Sequence, residues 1–221
     1  MKKLILITLT LVLICSASVA AETDVAFDFG AVQGPNIESD VIPGGKVRLT
    51  TDQYNYKRLY DLIEVTSTFG IDDPNYNFVS SDLIFYSQLD QLISEDDYVG
   101  IGLKQLFLDN SQAATDYFFT SDIEAYGVPV ALKLEEDYGF YKVYATGSIF
   151  KGIYTATMPG EDAAGNCSGI SIDLGVKLQF SAFDLTMSYK QEDYSFNKDS
   201  NINISEDFTD DYQGLFLGIN F

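Results

Sequence analysis

The sequence predicts an all-β fold in which ten antiparallel strands form an up-and-down barrel. Apolar and polar residues alternate with a period of two in successive segments, the pattern of strands with one apolar face. Short and long connections separate these segments in alternation. The chain also has fifteen tyrosines, sixteen phenylalanines and only five prolines. This composition favours strands because proline cannot donate to a strand ladder.

The first half of the chain contains five such segments. They lie at 24–32, 46–51, 61–71, 82–89 and 98–108. In the first segment Val25, Phe27 and Phe29 share one face, and Asp28 lies on the other. The stretch Asp52–Tyr60 is counted as a turn. If it continues a strand and one other segment is misassigned, the number of strands falls to eight.

Five further segments complete the predicted barrel. They lie at 127–134, 141–149, 171–180, 183–190 and 212–221. The alternation slips near Gln105, which predicts a bulge there, and Pro129 predicts a local break. Short turns are predicted near 94–97, 135–139 and 181–183, long connections at 33–45, 109–120, 153–168 and 196–211, and an intermediate one at 72–77. An even number of strands places both termini at one end.

The charged residues of the strands fall almost entirely on the polar faces. The residues predicted to line the lumen are Asp28, Glu64, Asp82, Lys104, Lys133, Lys142, Asp173, Lys177, Asp184 and Lys190. A charge facing lipid at the midplane costs roughly 2–4 kcal/mol, so a membrane barrel requires this segregation. A soluble β-sandwich would show the same alternation with its polar faces outside.

The N-terminus has the pattern of a secretory signal peptide. Lys2 and Lys3 precede an apolar run at 4–14 and a small-residue segment at 16–21. Cleavage after Ala20 or Ala21 would make 1–21 the signal peptide and 22–221 a single barrel domain. The chain beyond it has no run near the roughly 18 apolar residues of a transmembrane helix, which excludes a helical membrane protein.

The last segment alternates strictly and ends on an aromatic residue. Leu215, Leu217, Ile219 and Phe221 share one face. The pattern resembles the closing strand of small bacterial outer-membrane β-barrels of the OmpA/OmpX-like or porin-like kind, whose terminal aromatic is an assembly signal. Together with the signal peptide, this resemblance favours a membrane-spanning barrel over a sandwich.

The resemblance implies a location and a set of partners. It places the protein in the cell outer membrane as a monomer, with both termini and the short turns in the periplasm and the longer loops outside. The implied partners are outer-membrane lipid, lipopolysaccharide and the β-barrel assembly machinery. No subfamily signature is matched.

The residue inventory argues against an enzyme. The chain contains no histidine, so it cannot form a Ser/His/Asp system or a histidine-dependent metal site. Known barrel enzymes such as the omptin proteases and the outer-membrane phospholipase rely on a histidine. Cys167, the one cysteine outside the predicted signal peptide, is expected to be a solvent-side loop thiol. We therefore predict no catalytic residues and no cofactor.

The acidic loops suggest at most cation binding. The net charge of −20 disfavours nucleic-acid binding, which needs basic clusters. Asp199, Asn201, Asn203 and Asp210 partly follow the ligand spacing of a calcium loop, but Ile204 occupies the place of the required glycine. Diffuse binding of divalent cations at the acidic loops is the preferred hypothesis over a specific metal site.

Three functional hypotheses remain from the sequence. The first is a barrel with a structural or surface-interaction role, its lumen filled by charged and aromatic side chains. The second is a narrow porin-like channel whose ion preference those charges set. The third is a soluble periplasmic β-barrel that carries a lipid or another ligand.

Overall fold

The computed structural model describes residues 23–33, 41–52, 60–72, 76–89, 96–111, 121–158, 161–181, 183–198 and 208–220. These residues form ten strands: β1 Thr23–Gln33, β2 Ile42–Asp52, β3 Leu62–Asp72, β4 Tyr76–Gln88, β5 Tyr98–Ser111, β6 Ser121–Asp137, β7 Tyr141–Met158, β8 Glu161–Gln179, β9 Asp184–Lys198 and β10 Phe208–Asn220. Each strand pairs with its sequence neighbours, and β1 pairs with β10 to close the barrel. The prediction of ten antiparallel strands is confirmed. Among the described residues, no helix is long and apolar enough to cross a bilayer.

The β7–β8 hairpin is much longer than predicted. The two strands pair from Tyr141–Leu178 up to Met158–Glu161, so the loop predicted at 153–168 is wrong. The outward residues of this upper part, such as Thr155 and Asn166, are polar, and the sequence therefore loses its apolar contrast although the ladder continues. Strands β2, β5, β9 and β10 likewise extend into the connections predicted at 33–45, 109–120 and 196–211.

Pro129 does not break its strand. It lies inside β6, faces the lumen and pairs with Phe150 of β7. On the other side, the β5–β6 register is interrupted between the Ile101–Val130 and Lys104–Gly127 pairs, the place where the proline has no N–H to donate. The local break predicted at Pro129 is therefore confined to the pairing of β6 with β5, and the strand itself is continuous.

The predicted bulge is also displaced. Alternation continues through Gln105, which pairs with Tyr126 and faces outward. The register shift lies further along, between Leu108 and Ser111 at the end of β5. The polar outward residue, and not a change of backbone register, caused the apparent slip in the sequence.

The outer wall carries a continuous apolar band. Its side chains are highly exposed, with Phe29 at 71% and Leu217 at 66% of their maximum. Along β8 the outward apolar row runs from Ile170 to Phe180. Ten residue steps correspond to about 25 Å of height at the usual rise and tilt of barrel strands, the height of a lipid-facing band.

Aromatic side chains cluster at the short-turn end of this band. Tyr138 stacks on Tyr141 at a ring-centroid distance of 4.8 Å, and Phe140 meets Tyr141 edge-on at the same distance. Phe180 stacks on Phe183 at 5.3 Å across the next turn. Phe140 and Phe180 are 70% and 52% exposed. Such belts are typical of membrane interfaces, where an aromatic ring contacts both apolar chains and headgroups.

Candidate functional site in the barrel lumen

The lumen is the candidate site because the strands direct most of the described charged side chains into it. Three layers follow one another along its axis. A large apolar layer lies toward the long-loop end, a charged layer occupies the middle, and a small apolar layer formed by Leu62, Ile84, Tyr86 and Ala131 lies toward the short-turn end. The members of the large layer are Val32, Ile42, Phe78, Leu106, Leu108, Ile123, Ala125, Phe150, Tyr154, Ala156, Cys167, Tyr194, Phe196, Tyr212 and Phe216.

Glu192 is the centre of the first charged group. It is fully buried, and its carboxylate lies 2.9 Å from Nζ of Lys104 and 2.7 Å from Nζ of Lys190. The hydroxyl of Ser80 donates to it at 2.7 Å. A second carboxylate, that of Asp82, lies 3.1 Å from Nζ of Lys104. Two carboxylates thus neutralise two ammonium groups away from water.

Hydroxyl groups complete the environment of Glu192. Ser171 donates to its Oε1 at 3.2 Å, and the phenol of Tyr194 donates to its Oε2. Lys190 donates a further hydrogen bond to Thr68 at 3.0 Å. Because buried charges are tolerated only when paired and hydrogen-bonded, these contacts explain why Glu192 can be fully buried.

A second group joins β2 to β8. Nζ of Lys46 lies 3.1 Å from Oδ2 of Asp173 and 3.4 Å from Oδ2 of Asp28. The guanidinium of Arg48 contacts the same Asp173 oxygen at 3.0 Å and lies over the ring of Tyr144, 4.6 Å from its centroid. This group connects opposite walls of the barrel.

A third group lies nearer the short turns. Nζ of Lys133 contacts Glu64 at 2.7 Å and Glu135 at 3.0 Å, and Lys142 contacts Glu135 at 3.3 Å. The sequence places Glu135 in a short polar turn, but it belongs to β6 and takes part in the lumen network. The turn predicted at 135–139 begins too early, because β6 continues to Asp137 before the chain reverses.

The structure places all ten predicted lumen residues on inward-facing positions. Eight of them join the three groups above, and Lys177 pairs with Asp184 at 2.9 Å near the short turns. The prediction omits Glu192 because the predicted strand ends at Lys190, whereas β9 continues to Lys198. Continuing the alternation Thr186, Ser188, Lys190 by two residues would have identified it.

Removing the phenol oxygen of Tyr144 tests whether the second charged group stabilises the barrel. This oxygen accepts hydrogen bonds from Arg48 at 3.0 Å and from Lys46 at 3.4 Å. Tyr144→Phe keeps the ring and removes this acceptor, so we expect a loss of about 1 kcal/mol in the free energy of unfolding. Urea titration of the refolded barrel measures it. Tyr138→Phe, an exposed turn position, should cost much less, and an equal loss in both variants would contradict the assignment.

Two predictions about other polar residues have different outcomes. Cys167 is not a solvent-side loop thiol: it lies on the inner face of β8, is buried, and belongs to the large apolar layer. The error follows from the unrecognised upper part of the hairpin. Asp210 lies in β10 opposite Tyr194 and faces inward, whereas Asp199, Asn201 and Asn203 fall outside the described residues.

The structure describes three of the four residues of the predicted assembly signal. Leu215, Leu217 and Ile219 lie on the outer face of β10 and are exposed there. Phe221 and the predicted signal peptide 1–21 fall outside the described residues. Within the described part of the chain, no group of three or more His, Cys, Asp or Glu side chains could hold a metal ion.

The molecule is thus a closed ten-stranded antiparallel barrel with an ion-paired interior. No protein-family model and no curated protein matches its sequence. Among solved structures it is similar to Neisserial surface protein A, with 11% identity and a TM-score of 0.37 over 91% of this chain and 97% of that one. It is also similar to Ail, the attachment invasion locus protein of Yersinia pestis, in complex with the heparin analogue sucrose octasulfate. There the identity is 9% and the TM-score 0.37, over 91% of this chain and 99% of that one. At such values, function has to be inferred from the side chains of this chain.

Proposed function

We propose that the protein is an integral outer-membrane barrel with a closed lumen, which anchors acidic loops at the cell surface. The observation that carries this proposal is the large apolar layer across the lumen. Its aromatic members are almost completely buried, with Phe196 at 0%, Phe216 and Tyr212 at 1% and Tyr194 at 2% exposure.

Ring contacts connect the side chains of this layer, both across the lumen from β4 to β10 and between the nearby strands β7 and β9. Phe78 stacks on Tyr212 at a centroid distance of 4.3 Å, and Phe150 meets Tyr194 edge-on at 5.7 Å. Rings packed at such distances leave no room for a file of water between them. Hydrated ions would therefore have to displace several buried rings to cross, which supports a closed lumen over a channel.

The charged groups of the lumen fit a structural role as well. Each carboxylate of the three groups has an ammonium or guanidinium partner within 3.4 Å. A general acid or base needs access to a substrate proton, whereas Glu192, Asp82 and Asp173 are buried beneath the large apolar layer. We accordingly assign no catalytic step to the interior.

The outer wall supports the membrane location. Its apolar band has the height expected for lipid, and the aromatic cluster lies at one edge of that band. In the proposed orientation the termini and the short turns face the periplasm, and the β7–β8 hairpin faces outside. A soluble carrier would need its apolar wall covered, and it would fractionate without detergent and show no heat-dependent gel shift.

Planar-bilayer recording of the refolded chain from residue 22 tests the closed lumen. We expect no discrete conductance steps from the unchanged protein. A variant with Phe150→Ala, Phe196→Ala and Tyr212→Ala should open a water path and conduct, once its folding has been checked by the gel shift. Discrete steps from the unchanged protein that alter when Lys104 is replaced would refute the proposal.

A further inference from the structure

One lysine differs from every other cation whose side chain the structure describes. The side chains of Lys46, Arg48, Lys104, Lys133, Lys142, Lys177 and Lys190 occupy inward positions. Lys151 alternates to the outer face of β7 and is exposed there. It lies between Ile149 and Ile153 in the outward row of β7 and pairs with Ser168, the outward residue just above Ile170 at the upper end of the apolar row of β8. On the β8 side, Lys151 is therefore at the upper edge of the apolar band, the level at which lipid headgroups begin.

A groove of about 770 Å³ surrounds this lysine on the outer wall. It extends across β6 to β10 and has two different parts. Toward β6 and β8 it is lined by the apolar side chains of Val130, Ile149 and Ile170, which are 47%, 62% and 52% exposed. Lys151, Ser168 and Ser195 form a polar part along one register row. The groove thus joins an apolar surface to hydrogen-bonding groups.

Two carboxylates complete the polar part. Asp193 and Asp211 lie directly opposite each other on β9 and β10, and both line the groove. Like charges on facing strands repel, so the pair favours a cation between or beside them. Along the groove the order is therefore an ammonium, two hydroxyls and two carboxylates.

This order fits a phosphate that carries its own divalent cation. Strands β7 and β9 are two strand spacings apart, about 10 Å. A phosphate next to Lys151 and a cation between that phosphate and the carboxylates would span this distance. The adjoining apolar part would take an acyl chain, because its exposed side chains are otherwise left to solvent or lipid.

We propose that the groove binds the phosphorylated glycolipid head and one acyl chain of lipopolysaccharide. Lys151 contacts a phosphate, and Asp193 and Asp211 hold the divalent cation shared with it. This inference rests on the proposed outer-membrane location, since that glycolipid forms the leaflet facing the long-loop end. It goes beyond that location by naming a specific site for one lipid.

Titration of lipopolysaccharide into the refolded barrel in detergent micelles, with native mass spectrometry as the readout, tests the site. In millimolar magnesium, Lys151→Gln should weaken binding roughly tenfold, the loss expected for one charge-assisted hydrogen bond. Asp193→Asn combined with Asp211→Asn should abolish the magnesium dependence of binding. Thr155→Ala, on the same outer row beyond the groove, is the matched control and should bind like the unchanged protein.

The choice of lipid separates the sources of phosphate. The unchanged protein should bind dephosphorylated lipid A about as weakly as the Lys151→Gln variant binds the complete glycolipid. Equal binding of all variants to lipopolysaccharide would overturn the proposal, and so would phosphatidylglycerol binding with the same dependence on Lys151. A barrel that fractionates without detergent would instead contradict the outer-membrane location, so the two failures can be told apart.

Discussion

Replacing Glu192 by alanine is expected to lower the free energy of unfolding by about 3–5 kcal/mol. The substitution removes the carboxylate that lies within 2.9 Å of both Lys104 and Lys190. Lys104 retains its contact with Asp82, whereas Lys190 loses its carboxylate partner at 2.7 Å and keeps its hydrogen bond to Thr68. An uncompensated buried charge accounts for a loss of this size. Urea dependence of the heat-modifiable gel shift in lipid vesicles measures it.

Two further variants show whether charge is the cause. Asp193→Ala removes the neighbouring carboxylate, which faces outward. It should change the free energy of unfolding by well under 1 kcal/mol. Glu192→Leu combined with Lys190→Met removes both partners and leaves the Lys104–Asp82 pair, so it should recover most of the lost stability. If Glu192→Ala costs no more than Asp193→Ala, the ion-paired interior does not stabilise the barrel.

Replacing Gly218 by valine is expected to prevent barrel closure. Gly218 pairs with Asp28 across the seam between β1 and β10. A Cβ at this position would overlap the carboxylate of Asp28 and lie 2.6 Å from the carbonyl oxygen of Phe27. Asp28 is buried and ion-paired with Lys46, so it cannot move into water without breaking that pair. We expect a loss of about 3 kcal/mol or more, seen as a missing compact band on gels.

Gly147 provides the control for this effect. It also lies within a strand, but a Cβ added there meets no atom within 4 Å. Gly147→Val should therefore fold like the unchanged protein, and its β-branched side chain suits an exposed strand position. Equal folding of the two valine variants would show that the seam tolerates a side chain opposite Asp28.

The sequence predicts the lower part of each strand well because there the outward residues must be apolar. Above the lipid-facing band both faces can be polar, and the period-two contrast disappears. Cys167 and Glu192 lie in or next to this upper region, and both were misassigned or missed for that reason. Composition alone does not reveal that such a stretch still belongs to a ladder.

The partners of the lumen charges could not be predicted either. Lys46 and Asp173 are 127 positions apart, and Lys133 and Glu64 are 69 apart. Contacts across the lumen depend on the stagger of all ten strands, which accumulates around the barrel. The local sequence pattern predicts the strand face on which each charged residue lies, but it does not predict which residue across the lumen pairs with it.

Among the described residues, the unequal strand lengths give the long-loop end of the barrel a slope. β1, β2 and β3 have 11 residues each, whereas β7 and β8 have 18 and 19. Since the strands share one closed wall, the difference of about eight residues raises one side by roughly 20 Å at the usual rise and tilt. In the proposed orientation, a molecule approaching the cell meets a one-sided crest formed by a hydrogen-bonded hairpin. Its footprint would then lie on the flank of that crest, beside the groove that contains Lys151.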